Sequence, residues 1–205
     1  SLPFEKGLSN YKEYLKNTLE LNPVAVNSHT GSDFYTLNQN MAFIEVANEL
    51  SNQYNIPVYH ETHRGRFSFS LPKTIEYIER NKDLFLTLDI SHWLVVHESL
   101  LKNRQELLDK IIKRSNHIHA RVGFEEGPQV NDPSAPEWKN IVERHLDIWE
   151  AVITKNLKEK NNVTITTEFG PPNYMPTLPI TKKPTSDQWN SNVFIMKALK
   201  KRIKG

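Results

Sequence analysis

Five short runs of β-branched and apolar residues, alternating with longer stretches of helical periodicity, constrain what this chain can fold into more than any other feature. The runs are residues 23–29 (PVAVNSH), 56–63 (IPVYHETH), 84–89 (LFLTLD), 117–122 (HIHARV) and 163–169 (VTITTEF). Apolar spacing predicts helices over about residues 10–20, 38–54, 72–80, 99–114, 136–158 and 186–203. Strand and helix in strict alternation is the pattern of β/α units built around a parallel sheet. Two stretches rich in Pro, Gly, Asn and Asp interrupt the rhythm, residues 123–138 and 170–184, each directly after a strand. Long loops at strand C-termini are where such folds build binding pockets.

Side chains alternate between the two faces of a strand, so parity separates residues that pack on helices from those that line a barrel. Val24 and Val26 share one parity and Asn27 and His29 the other. Leu84, Leu86 and Leu88 oppose Thr87 and Asp89; Ile118, Ala120 and Val122 oppose His117, His119 and Arg121; Val163 and Ile165 oppose Thr166 and Glu168. In the second run Tyr59, Glu61 and His63 stand together. The polar face ends, strand after strand, in a residue able to bind metal or move protons: His29, Glu61, Asp89, His119 and Glu168, separated by 32, 28, 30 and 49 residues. Parallel strands put their C-terminal ends on one rim, where residues distant in sequence converge.

Three carboxylates gathered beside imidazoles would repel one another unless a cation neutralised them. A divalent metal is the economical answer, with Glu61, Asp89, His119 and Glu168 as its ligands. The set is rich in oxygen and the chain has no cysteine, which suits Mn²⁺, Mg²⁺ or Co²⁺ and allows Zn²⁺. His97 and His145 lie in helical context and read as structural or exposed. Trp138 and Trp149 read as ordinary helix packing, whereas Trp93, shortly after a strand end, is placed to wall a pocket. The basic tail at residues 197–204 reads as a solvated helix face.

At these residues the chain resembles the xylose isomerase-like TIM-barrel superfamily, which includes sugar isomerases, ketose 3-epimerases and sugar phosphate isomerase/epimerase homologues. The resemblance runs from about Pro23 to the C-terminus and rests on HETHRGR from His60, LDISHW from Leu88, HIHARVG from His117 and TEFGP from Thr167. It implies a (β/α)8 barrel with Glu61, Asp89, His119 and Glu168 as the ligands of one divalent ion. It further implies that Glu61 and Glu168 double as the acid/base pair of an enediolate mechanism. His92 and Arg121 are implied as substrate contacts, and His29, His63, His117 and Trp93 are taken as lining the same pocket.

A complete barrel needs about 250 residues. Only its last five β/α units are evident here, so residues 1–205 are read as one partial, N-terminally truncated barrel domain. An open barrel leaves two sheet edges exposed, and association into a homo-oligomer is one way to cover them. The expected ligand is a small sugar or sugar phosphate; Arg64, Arg66 and Arg121 could meet a phosphate or pair with nearby acids. With 26 Lys and Arg against 24 Asp and Glu the charge is nearly balanced, which disfavours nucleic acid as a partner. No apolar run of about 18 residues exists and no signal segment is visible, so a cytoplasmic location without membrane contact is expected. Two other readings compete. A zinc-dependent abasic-site endonuclease resembles the chain at the same positions but carries a further Asp-x-His, where this sequence has Asp132, Pro133 and Ser134. A non-catalytic sugar-binding barrel is the other.

Overall fold

The computed structural model describes residues 3–204. The chain gathers into two compact units, Ser1–Thr87 and Leu88–Gly205.

The first unit runs α1 (Phe4–Leu19), β1 (Val26–Ser28), α2 (Leu37–Tyr54), β2 (Val58–Glu61), α3 (Leu71–Arg80) and β3 (Phe85–Leu88), whose last residue opens the second unit. β1 pairs with β2 and β2 with β3, both in parallel, in a register that sets Ser28 beside His60 and Glu61 beside Thr87. Helix α1 begins well before the expected residue 10. Phe4 meets Tyr35 and Phe43 edge-on, and this tertiary packing outweighs the low helix propensity of Gly7. Helix α2 starts where a capping box permits: the Thr36 hydroxyl accepts the Gln39 N–H while the Gln39 side chain accepts the Thr36 N–H. Leu15 and Leu19 of α1 join Ala47 and Leu50 of α2, Ile56 and Val58 in one apolar cluster. Val24, expected to pack on a helix, is 88 % exposed, because β1 begins only at Val26.

The second unit contains α4 (Ser91–Val96), α5 (Gln105–Ile112), β4 (Ser115–Ala120), α6 (Lys139–Lys158), β5 (Thr164–Thr167) and α7 (Gln188–Lys204). β4 and β5 pair in parallel, with His119 beside Thr166 and Ala120 beside Thr167. The parity expected for β4 holds on its apolar side, where Ile118 and Ala120 are fully buried, as is Val122 just beyond the strand. Helix α6 packs on β4 and α7 on both α6 and β5. Part of the basic tail has a structural partner: Arg202 is clamped by Glu143, Asp147 and Glu150, three acids on successive turns of α6. The one-and-a-half-turn helix α4 went unread in the sequence, since six residues carry too little periodicity to register. Among the described residues no helix is long and apolar enough to cross a membrane.

Candidate metal and proton-transfer site

In the second unit the residues expected at strand ends do converge. Asp89 follows β3, His119 lies near the end of β4, and Glu168 follows β5, its N–H continuing the ladder to Ala120 O at 3.4 Å. Asp89, His119 and Glu168 each offer a ligand atom lying within 4.8 Å of the other two. The His119 Nδ1 and Glu168 Oε2 atoms approach to 2.9 Å without the alignment of a hydrogen bond. Glu168 Oε2 is buried with no hydrogen bond aligned on it, although the side chain as a whole is about one-third exposed. Two lone-pair atoms on a metal sphere of about 2.1 Å radius, separated by a right angle, sit about 3 Å apart, so this spacing suits neighbouring ligands of a divalent ion.

Asp89 is held from every side. Its Oδ1 accepts the Ser91 N–H at 3.0 Å and the Ser91 hydroxyl, and its Oδ2 pairs with the Arg121 guanidinium. Arg121 is 3 % exposed, reaches within 3.5 Å of Glu168, and donates to Ser91 Oγ and to His92 Nε2. Burial disfavours its charge, but Asp89 and Glu168 outweigh that and hold its pKa above the ordinary value. Its Cζ lies 4.3 Å over the Tyr174 ring. His92 Nε2 lies 3.0 Å from that guanidinium and 3.6 Å from Asp89 Oδ2.

The arrangement gives two of the expected pocket residues a structural setting. Arg121, read as a substrate contact, is a buried counter-ion of Asp89, and it supplies part of the neutralisation that the sequence argument assigned wholly to a metal. Trp93, expected to wall a pocket, is fully buried on α4 and belongs to the core. His117 lies two residues before His119 on β4, with Nδ1 2.7 Å from Thr164 Oγ1, Nε2 3.4 Å from Thr166 Oγ1 and its ring edge-on to His119. This places it one layer below the donor atoms of His119. His145 is structural, as expected: it accepts the Gly123 N–H and donates to Ile141 O.

The two long loops of this unit are tied together above the strands. The Gln129 side chain accepts the Gly170 N–H and donates to Gly170 O, and Ser186 donates to Asn131 O. Asp132, at the position where the endonuclease reading wants a metal-binding pair, accepts the Ser134 N–H and hydroxyl within its own turn. Ser91 and Tyr174 were missed by sequence reasoning. The Asp-x-Ser spacing, typical of a side chain capping its own turn, could have found Ser91; nothing in a loop sequence singles out Tyr174.

In the first unit Glu61 ends β2 almost fully buried. It accepts the Asn27 amide at 2.7 Å, and its Oε2 lies 3.0 Å from His29 Nε2. His63, two residues on, stacks obliquely on His29 with ring centroids 4.7 Å apart, and its Nδ1 accepts the Gly65 N–H. His29, Glu61 and His63 thus form a group that could hold a metal within this unit alone. Beneath it His60 is fully buried and bonded through Nδ1 to Thr30 Oγ1 at 2.6 Å; burial lowers its pKa to about 4, so it is neutral.

Parallel β/α units with acids and imidazoles at strand ends define the class: an α/β protein carrying groups that could bind a metal. No family model matches the sequence, and no curated protein matches it. Six chains of solved structures match. One is the crystal structure of the probable 3-DHS dehydratase AsbF, involved in petrobactin synthesis, from Bacillus anthracis. It is 14 % identical, and the alignment covers 98 % of this chain and 72 % of that chain with a TM-score of 0.51. At that identity the likeness is one of fold.

Proposed function

We propose that this protein is a divalent-metal-dependent enzyme that moves a carbon-bound proton on a small sugar or polyol, as an isomerase or epimerase. The observation that carries the reading is the meeting of Asp89, His119 and Glu168 donor atoms within 4.8 Å, with Glu168 Oε2 buried and lacking a hydrogen bond. The donor set fits a divalent ion: two hard carboxylates and an imidazole, with the carboxylate of Asp89 already oriented by Ser91 and Arg121. Glu61 enters the proposal from the ordered sequence series alone, as the fourth ligand and second acid/base group. Once bound, the ion would polarise a substrate carbonyl and offset the negative charge that develops when a proton leaves the adjacent carbon.

The remaining work falls to side chains. Glu168 is the better-exposed carboxylate, positioned to take a proton from a ligand entering beneath the tied loops. Arg121 pairs with Asp89 and holds that carboxylate in place beside Glu168. Removal of a carbon-bound proton is also the first half of a dehydration, the chemistry named for the structural relative, so the products must be read as well as the exchange.

The test is a Mn²⁺ titration of the full chain followed by solvent-deuterium incorporation into candidate ketoses, with product analysis by NMR. Expected are saturable binding close to one ion per chain, exchange that chelation abolishes, and loss of exchange in Glu168→Gln with melting nearly unchanged. Exchange that survives chelation, or full activity in Glu168→Gln, would reject the mechanism; loss of water from the substrate would reassign it as a lyase.

A further inference from the structure

The first unit contains a cleft of about 460 Å³, lined among others by Tyr11, Tyr14, His29, Gly31, Tyr35 and Arg66. That volume lies within the range of about 300–1,000 Å³ usual for small-molecule sites. Its walls are held by internal contacts. Asn40, almost fully buried, accepts the Ser32 N–H at 3.0 Å and donates to Ser32 O and Tyr35 O, pinning the segment after β1. Gly31 has φ +62°, and a Cβ there would meet Asn40 Oδ1 at 2.1 Å, so only glycine lets that segment lie so close. Tyr35 stacks on Phe43, and the Tyr11 hydroxyl is engaged by Ser28 and Thr30.

Arg66 stands apart from the other arginines of these motifs. Its Nη1 donates to Gly31 O at 3.3 Å, its Nε is buried without a hydrogen bond, and among the described residues no carboxylate pairs with it. A partly buried guanidinium lacking a counter-charge is unfavourable, and its planar fork complements an oxyanion. Flanking tyrosine rings offer apolar faces to the C–H groups of a carbon chain.

We infer that this cleft binds the oxyanion end of a small polyhydroxylated ligand, with Arg66 as the anion-holding residue. A sugar phosphate and a sugar acid share that chemistry. The site stands on its own geometry; only the equation of its ligand with the enzyme's substrate rests on the proton-transfer reading, through His29, which lines the cleft and contacts Glu61.

The experiment is calorimetric titration of the metal-free full chain with inorganic phosphate and, separately, with D-gluconate, at constant ionic strength. Saturable binding of at least one is expected. Tighter phosphate binding assigns the ligand to the phosphate esters, and tighter gluconate binding to the hydroxy acids. Arg66→Gln should weaken binding by about tenfold or more. Arg66→Lys, which keeps the charge but loses the fork, should weaken it severalfold and reads the same contact should the glutamine variant fail to fold. Absence of binding by both probes, or affinity unchanged in both variants, overturns the inference. Mn²⁺ titration of the same samples keeps the two readings separate, since Arg66-dependent anion binding in a protein that takes up no Mn²⁺ would sink the metal mechanism and leave the cleft assignment standing.

Discussion

Acid should weaken the second unit through one histidine. His145 is fully buried on α6 against Trp149, with both ring nitrogens committed, Nε2 to the Gly123 N–H and Nδ1 to Ile141 O. Burial lowers its pKa from 6.5 to about 4, against a smaller raising effect of the Ile141 bond. At about 1.4 kcal/mol per tenfold change in proton affinity, that displacement corresponds to roughly 3 kcal/mol. The unfolded chain takes up this proton as pH falls through about 6.5, the folded chain only near 4. The stabilisation is therefore complete above about pH 6.5 and is lost progressively as pH falls toward 4. Between about pH 7 and about pH 4.5 the loss comes to roughly 2 kcal/mol. All four tryptophans lie in the second unit, and Trp93 and Trp149 are fully buried, so urea unfolding followed by tryptophan fluorescence reports on that unit. His145→Gln removes the titration while retaining a donor and an acceptor, and carboxylates and His60 titrate in both proteins. Wild type should lose roughly 2 kcal/mol more than the variant over this interval; equal losses within the error of the urea assay would refute the reasoning.

Two further expectations follow from particular contacts. Arg121→Met leaves the fully buried Asp89 without its counter-ion and should destabilise the metal-free second unit by about 3–5 kcal/mol in the same urea assay, with a loss below about 1 kcal/mol counting against this pair as a buried structural contact. Thr36→Ala removes one half of the α2 capping box and should destabilise the first unit by about 1 kcal/mol, read by hydrogen exchange of the α2 amides, whose unchanged protection would refute the cap's role.

The β/α order and the polar rim were legible because both depend on local periodicity. Ile118, Ala120 and Val122 alternate with His117, His119 and Arg121, and a strand has no choice but to send them to opposite faces. Parallel strands bring their C-terminal ends to one rim, which is why Glu61, Asp89, His119 and Glu168 read as one set from the sequence. Features that failed to show are those in which local preference yields to distant partners. Helix α1 begins early because Phe4 finds Tyr35 and Phe43, and α4 is too short for its pattern to be read.

The amino-acid order by itself determined which side chains stand at strand ends and on which face, since peptide geometry alone imposes that alternation. Only the tertiary structure decided how they are employed. Of the arginines in the quoted motifs, Arg121 pairs with Asp89 while Arg66 lines a cleft with no acid among its described lining residues, and Trp93 is fully buried in the core. Charge pairing and burial depend on distances across the fold, and residues identical in type differ in role once one of them has found its partner.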